Sequence, residues 1–271
     1  MDLGLRDAAV AVTGGTAGMG RATAECYAQD GARVAVLART QSAIDDTVSA
    51  LLAAGSPDAF GVATDLMRDD SVQNAFAQIA ARWGELNVLV NTVGPAEKIL
   101  GSFEDVDDAR WQEAFQLITM GAVRTCRAAL PLLRKAQWGR IVNLSAHSVQ
   151  RQSPALIAYT AGKAALTSLT KNLSQTLAPE GIMVNTVSPG TFLTAQVRDH
   201  LRDEMRTRGL DPEDPTAVAM VLQEQFGDAL GQMGRAGLPD EIAPMIVLLG
   251  SRRNTYTTGA DLNVDGGSDF H

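Results

Sequence analysis

Short apolar segments alternate with longer helical patterns along most of this chain, and that alternation constrains its fold more than any other feature. Most of the short segments are apolar at every position, which is typical of strands buried on both faces of a sheet. Strands and helices in regular alternation predict a parallel sheet with right-handed crossovers and helices on both faces. At 271 residues the chain accommodates one such domain. We therefore predict a single, doubly wound α/β domain.

The bounds of the predicted elements follow from these patterns. Strands are predicted at 8–12, 33–37, 59–63, 86–90, 140–144, 183–187 and 261–264. Helical stretches are predicted near 19–30, 41–54, 69–82, 107–135, 156–178 and 239–249.

The segment 191–234 breaks this rhythm. It contains no strand pattern and carries mixed charge, and its apolar residues fall at helical spacing only around 216–230. A connection of this length in a compact domain is usually a functional lid or a disordered excursion. We predict a partly helical lid over a ligand site. A surface helical insertion with no role in ligand binding is the alternative.

Charge and composition exclude several classes of function. The net charge of −8 repels nucleic-acid backbones and anionic membranes, and no run of Lys and Arg predicts a basic patch. The two cysteines and three histidines are scattered, so we expect neither a disulfide framework nor a bound metal. No apolar run approaches the ~20 residues of a spanning helix, and the first residues lack a secretory pattern. We expect a cytoplasmic protein without nucleic-acid or membrane partners.

A glycine-rich loop joins the first predicted strand to the first predicted helix. Residues 10–22 read V-A-V-T-G-G-T-A-G-M-G-R-A, and they include Gly14, Gly18 and Gly20. Glycine lets the backbone turn sharply and lets a diphosphate approach a helix N-terminus, where free N–H groups and the helix dipole favour anions. Because a strand precedes the loop and a helix follows it, the loop predicts dinucleotide binding in a Rossmann fold.

Several motifs occur together in a specific order. The glycine loop has the spacing T-G-x-x-x-G-x-G, residues 91–94 read N-T-V-G, and Tyr159 and Lys163 form a Y-x-x-x-K pair. Residues 188–194 read S-P-G-T-F-L-T, and residues 264–267 read V-D-G-G. In this order and spacing the motifs resemble those of the short-chain dehydrogenase/reductase family, and the resemblance covers essentially the whole chain. Within that family it is similar to 3-oxoacyl reductases and hydroxysteroid dehydrogenases.

The resemblance carries expectations about fold, assembly and cofactor. It implies a sheet of seven parallel strands in the order 3-2-1-4-5-6-7 and a homo-oligomer, a tetramer or a dimer. It also implies that a nicotinamide dinucleotide is held by residues at the matching motif positions. These are Gly14, Thr16, Gly18, Met19, Gly20, Asp65, Leu66, Asn91, Gly94, Tyr159, Lys163, Pro189, Gly190 and Thr194.

The end of the second predicted strand bears on the choice of nicotinamide. A site that prefers NAD places a carboxylate there, which bonds the ribose 2′-hydroxyl and would repel a 2′-phosphate. Here that position is Ala38, and Arg39 follows it. A guanidinium binds a phosphate through two hydrogen bonds and stacks on adenine. We predict a preference for NADP(H) over NAD(H), with Arg39 as an ordinary solvated residue as the alternative.

Tyr159 and Lys163 are the candidate catalytic pair. They are four residues apart, so on a helix they share one face. A free phenol has a pKa near ~10, and a nearby ammonium stabilises the phenolate and so lowers that pKa. The family resemblance implies that Tyr159 exchanges a proton with the substrate oxygen, while Lys163 lowers its pKa and binds the nicotinamide ribose.

Two positions depart from the family pattern. The family's catalytic serine lies thirteen residues before the tyrosine, where this chain has Ala146. A shift of one residue would bring Ser145 into that role, which is our first choice, and Ser148 or His147 are the alternatives. The family's catalytic asparagine corresponds to Ile118. Isoleucine cannot hold the water of the family's proton relay, so Thr119 or another route serves, or proton exchange is slower.

Two interpretations of function follow. The first is an NADP(H)-dependent oxidoreductase that acts on a carbonyl or secondary alcohol of a small molecule. The methionines of the segment 191–234 suit a medium-sized apolar substrate, such as a ring ketone like that of a steroid or a 3-oxoacyl chain. The second is a dinucleotide-binding sensor or scaffold with weakened catalysis, suggested by Ile118 and Ala146. Retention of both Tyr159 and Lys163 argues against the second.

Overall fold

The computed structural model describes residues 2–94 and 101–268. Its strands are β1 (Ala9–Thr13), β2 (Arg33–Ala38), β3 (Ala59–Ala63), β4 (Val88–Asn91), β5 (Gly139–Leu144), β6 (Ile182–Pro189) and β7 (Asp261–Val264). They form one sheet in the order β3-β2-β1-β4-β5-β6-β7, and every pair of neighbours is parallel. The strand order that the family resemblance implied is confirmed.

Helices connect the strands within the described ranges. They are α1 (Gly18–Gln29), α2 (Gln41–Ala54), α3 (Asp69–Trp83), α4 (Asp108–Ala114), α5 (Gly121–Leu133), α6 (Ile157–Leu177), α7 (Ala195–Thr207), α8 (Pro215–Phe226) and α9 (Pro239–Leu249). A π-helical turn at Phe115–Met120 lies between α4 and α5, and short 3₁₀ turns lie at His147–Val149, Ala178–Glu180 and Gly227–Leu230. None of the helices described is both long and apolar enough to cross a bilayer.

The two faces of the sheet carry separate hydrophobic cores, because alternate residues of a strand point to opposite faces. Val10 packs on the face that α1 and α9 cover, in one cluster with Tyr27. Its neighbour Ala11 packs on the face that α3 and α5 cover, in one cluster with Ile79. Both faces of β1 are therefore buried, which explains why its sequence is apolar throughout rather than alternating.

The segment 191–234 is mostly helical. It contains α7, α8 and the 3₁₀ turn at Gly227–Leu230, whereas the sequence predicted a helix only near 216–230. In α7 the apolar side chains of Val197, Leu201 and Met205 recur every four residues among charged residues, so the helix has only a narrow apolar stripe. Leu201 and Met205 join Val221 in a small core that is separate from the two cores of the sheet.

Candidate active site

The predicted motifs meet at one edge of the sheet. Since all strands are parallel, the residues that follow β1, β4, β5 and β6 lie at the same carboxyl edge. Thr13 at the end of β1 pairs with Asn91 at the end of β4, which pairs with Asn143 of β5. The sheet order reverses between β1 and β4, and ligands of doubly wound folds bind in the crevice at such a switch point. The candidate site is therefore this crevice.

The glycine loop packs tightly under the N-terminus of α1. Gly14 and Gly18 adopt positive φ angles of 65° and 50°, which glycine adopts without strain. A Cβ atom at Gly20 would lie 2.5 Å from Thr92 Oγ1 and would also collide with the carbonyl oxygen of Gly14. At the helix start, Ala17 provides no side-chain cap, and the first turn carries no acidic residue. The N–H groups there stay available to an anion, so the loop fits a diphosphate.

The loop after β6 closes on the glycine loop. Pro189 ends β6, and Gly190 continues the pairing with β7 through its N–H, which donates to the carbonyl oxygen of Val264 at 3.0 Å. Thr194 caps α7 by accepting a hydrogen bond from the N–H of Val197 at 3.3 Å. A Cβ atom at Gly18 would lie 3.3 Å from the methyl group of Thr194. The structure thus brings together two predicted binding segments that are far apart in sequence.

The adenine side of the crevice lies at the ends of β2 and β3. The N–H of Thr64 donates to the carbonyl oxygen of Ala38 at 2.7 Å, which places Asp65 near Arg39. The side chain of Arg39 is exposed and has no hydrogen bond or ion pair within the described part of the chain. Asp65 Oδ1 accepts from the N–H of Met67 at 2.9 Å, and Leu66 is buried. The cation predicted to bind a 2′-phosphate is available for a ligand.

Lys163 is the most buried charged side chain of the candidate site, with 2% of its surface exposed. Its Nζ donates to the carbonyl oxygen of Leu144 at 2.6 Å and to that of Val93 at 3.4 Å. It also lies 5.6 Å from the centroid of the Tyr159 ring, so the predicted pair does share one face of α6. Gly94 makes room for it, since a Cβ atom there would lie 2.7 Å from Nζ. Burial lowers the pKa of Lys163 to about 7.

A buried network of polar side chains holds α6 against the sheet. Asn91 Nδ2 donates to Asn143 Oδ1 at 2.9 Å, and Asn143 Nδ2 donates to Thr170 Oγ1 of α6 at 2.8 Å. Thr125 of α5 donates to Asn91 Oδ1 at 2.8 Å. Buried networks whose members are all paired rigidify their surroundings. The sequence had singled out Asn91 alone, although a lone asparagine inside the apolar run of β5 was a signal for Asn143.

Neither serine near the vacant family position points into the crevice. Ser145 is 1% exposed, and its hydroxyl donates to the carbonyl oxygen of Lys163 at 3.2 Å and shares a 2.7 Å hydrogen bond with Thr167. Ser148 is also buried and accepts a 2.9 Å hydrogen bond from Thr160. A catalytic role for Ser145 stays a prediction, and it requires the hydroxyl to leave its contacts on α6.

Ile118 lies in the π-helical turn, a feature that the sequence did not predict. Its side chain is buried and packs against Gly162 of α6. The hydroxyl of the next residue, Thr119, donates to the carbonyl oxygen of Gly162 at 3.0 Å. Thr119 is therefore already engaged in holding α6, and Ile118 presents only hydrocarbon to the neighbourhood of Lys163.

Known proteins resemble this chain over most of its length. A family model described as enoyl-(acyl carrier protein) reductase matches residues 14–269. The uncharacterized oxidoreductase YvrD of Bacillus subtilis is 32% identical over 267 residues, which are 98% of each protein. The cis-4-hydroxycyclohexanecarboxylate dehydrogenase of Sinomonas cyclohexanicum is 34% identical over 256 residues, which are 94% of each protein.

The fold also matches solved structures over its whole length. L-sorbose reductase from Gluconobacter frateurii, in complex with NADPH and L-sorbose, superposes with a TM-score of 0.91 at 26% sequence identity. The match covers 99% of this chain and 98% of that chain.

Proposed function

Since this chain belongs to the short-chain dehydrogenase/reductase family of oxidoreductases, we propose that it transfers hydride between NADP(H) and a carbonyl or secondary alcohol of a small molecule. The observation that carries the proposal is the placement of Lys163. Its buried amine lies 5.6 Å from the ring of Tyr159, in the crevice beside the uncapped N-terminus of α1. A phenol next to an amine can act as a proton donor. Here the phenol lies in the crevice where a bound dinucleotide would end.

The residues of the crevice fit a nicotinamide dinucleotide. Gly14, Gly18 and Gly20 leave room for a diphosphate at the start of α1, which a Cβ atom at Gly20 would fill. Pro189, Gly190 and Thr194 would hold the nicotinamide side, and Arg39 and Asp65 the adenosine side. When bound, the nicotinamide supplies or accepts the hydride. The relative solved with NADPH, L-sorbose reductase, supports this assignment.

Proton transfer is the part of the reaction that this chain's own residues perform. In reduction, Tyr159 gives its phenolic proton to the substrate oxygen as negative charge develops there. With a pKa lowered by burial to about 7, Lys163 is partly neutral near neutral pH in the protein by itself. A phenolate or another anion beside the amine favours its ammonium form, and that form in turn stabilises the phenolate. The two residues therefore act as a coupled pair.

The segment 191–234 is proposed as the lid over a medium-sized apolar substrate. Met220 and Met233 have 42% and 61% of their surfaces exposed, so both have apolar surface available to a ligand. Met205, the third methionine of this segment, is buried in the small core of α7 and α8 and serves packing. The relative from Sinomonas is named for a substituted cyclohexanol, which supports a medium-sized ring substrate for this chain.

A dinucleotide-binding sensor with weakened catalysis is the alternative function. It is favoured by Ile118 and Ala146, two apolar residues where family resemblance implies polar ones. The absorbance of NADPH, followed against a broad panel of ketones, separates the two functions. An oxidoreductase consumes NADPH with some members of the panel, whereas a sensor binds it and consumes none.

We expect Arg39→Ala to weaken NADPH binding by about tenfold or more and to leave NADH binding nearly unchanged. Charge-assisted hydrogen bonds contribute ~1.5–3 kcal/mol, and only NADPH carries the phosphate that would receive them. Fluorescence titration of both cofactors measures the effect. Arg6→Ala is a matched control, because Arg6 is also exposed but precedes β1 at the opposite edge of the sheet. Equal losses for the two cofactors would rule out the assignment.

We expect Ala146→Ser to raise kcat/KM severalfold, because a hydroxyl there would add a second donor to the substrate oxygen beside Tyr159. Ser145→Ala should instead lower the free energy of unfolding by about 1 kcal/mol, since the Ser145 hydroxyl is buried and hydrogen-bonded within the protein. Steady-state kinetics and thermal melts of both variants distinguish these effects. If Ser145→Ala removes activity without changing stability, Ser145 has the catalytic role that the sequence predicted.

A further inference from the structure

His147 lies where strand pairing between β5 and β6 gives way to a 3₁₀ turn. The last main-chain hydrogen bond of this pair runs from the N–H of Ser145 to the carbonyl oxygen of Val187, at 2.8 Å. Pro189 and His147 each lie two residues beyond this bond. The carbonyl oxygen of Pro189 contacts the imidazole Nδ1 of His147 at 3.0 Å. The side chain thus takes the position of the next main-chain donor and is fixed at the carboxyl edge of the sheet.

This contact determines the tautomer of the imidazole. A carbonyl oxygen only accepts hydrogen bonds, so Nδ1 must carry the proton that bonds Pro189. In the neutral ring Nε2 then has a free lone pair and no proton. Because Nδ1 points at the sheet edge, Nε2 points away from it, and it has no hydrogen-bond partner among the described residues. The half-buried ring therefore presents an acceptor beyond the edge of the sheet.

His147 lies beside the proposed reaction centre. It follows Ala146, and its other neighbour, Ser148, accepts a 2.9 Å hydrogen bond from Thr160, which follows Tyr159. The 3₁₀ turn that contains His147 is therefore hydrogen-bonded to the turn of α6 that contains Tyr159. A neutral imidazole with its only proton on Nδ1 accepts hydrogen bonds at Nε2 and does not donate there. It suits a substrate group that itself donates.

We propose that Nε2 of His147 accepts a hydrogen bond from a hydroxyl group of the substrate close to the reacting carbonyl, so that the protein selects hydroxy ketones over plain ketones. The inference rests on the proposed function and specifies its substrate class. With Ala146 providing no second donor, Tyr159 alone would hold the carbonyl oxygen. A second anchor on a neighbouring hydroxyl would restore the orientation of the substrate.

Two substitutions separate this role from a packing role. In His147→Asn the amide Nδ2 reaches the place of Nδ1 and preserves the donor to Pro189, but nothing replaces Nε2. In His147→Gln the longer amide reaches toward the place of Nε2. A residue that only completed the sheet edge would tolerate the asparagine and show no change of specificity.

The test compares kcat/KM for 2-hydroxycyclohexanone and for cyclohexanone, with NADPH, in the wild type and both variants, alongside thermal melts. We expect the wild type to prefer the hydroxy ketone by about three- to tenfold, the effect of one hydrogen bond. His147→Asn should reduce that preference to about one with an unchanged Tm, and His147→Gln should recover part of it.

Three outcomes overturn the inference. They are a wild type without the preference, an asparagine variant that keeps it, and an asparagine variant that loses activity equally on both ketones. The proposed function fails in a different way, namely if the wild type consumes NADPH with neither ketone nor any other carbonyl of the panel.

Discussion

Replacing Tyr159 with phenylalanine is expected to lower turnover by about 10²–10⁴-fold, the usual contribution of general acid catalysis. The variant keeps the aromatic ring and removes the group that would pass a proton to the alkoxide. Affinity for NADPH and Tm should change little, because the ring and its packing against the cluster around Ile118 are retained. Steady-state kinetics on a confirmed substrate, with a fluorescence titration of NADPH, measure both effects.

Tyr256→Phe is the matched control for this experiment. Tyr256 is 97% exposed in the loop before β7, so the same chemical change there should leave turnover unaffected. If Tyr159→Phe kept wild-type turnover, the proton donor would lie elsewhere in the crevice.

Lys163→Met is expected to lower both turnover and NADPH affinity, which distinguishes it from Tyr159→Phe. The substitution removes the charge that stabilises the phenolate and also a proposed contact to the nicotinamide ribose. We expect turnover to fall by about 10²-fold and the pH limb assigned to Tyr159 to move upward. An unchanged pH profile in an active variant would show that the amine does not influence the phenol.

The same substitution has a predictable effect on stability. Burial lowers the pKa of Lys163 to about 7 in the folded protein, whereas an unfolded lysine titrates near ~10.4. Between those values the unfolded chain binds more protons at this residue, so the Lys163 contribution to the free energy of unfolding rises with pH. Below about pH 7 both states are charged, and the full cost of burying the ammonium is present.

Methionine carries no such cost, so Lys163→Met should melt at a higher temperature than the wild type at pH 6–7, without cofactor. The difference should shrink as the pH rises through ~10.4, above which the wild-type amine is neutral in both states. Thermal melts of the two proteins across this range measure it, and the subtraction removes the effects of other titrating groups. A difference in Tm that does not vary with pH would mean that Lys163 is solvated rather than buried.

Much of the fold could be predicted from the sequence because strands buried on both faces leave continuous apolar runs. The bounds of β3 and β7 agree with the prediction to the residue, and α2 and α9 do so as well. The π-helical turn could not be predicted, because the residues F-Q-L-I-T-M contain no proline or glycine and no change of apolar period. Helix α7 was missed for a different reason, since its narrow apolar stripe is outweighed by charged residues.

For the candidate site, the sequence located the residues but not the directions of their side chains. Spacing placed Ser145 beside the vacant family position, yet its hydroxyl is hydrogen-bonded to α6. The contact between His147 and Pro189 joins residues 42 positions apart, so only the pairing of β5 with β6 brings them together. Likewise, the low pKa of Lys163 arises from the burial of its side chain, which no local pattern records.

In the proposed function, this chain transfers hydride from a nicotinamide dinucleotide to a carbonyl carbon. The most direct test uses NADPH carrying deuterium at both C4 positions of the nicotinamide, supplied with the ketone panel, and analyses the products by mass spectrometry. We expect alcohol products with one deuterium on the carbinol carbon from the wild type, and almost none from Tyr159→Phe. A wild type that binds NADPH but yields no deuterated alcohol from any ketone would contradict the claim and would identify the chain as a binding protein.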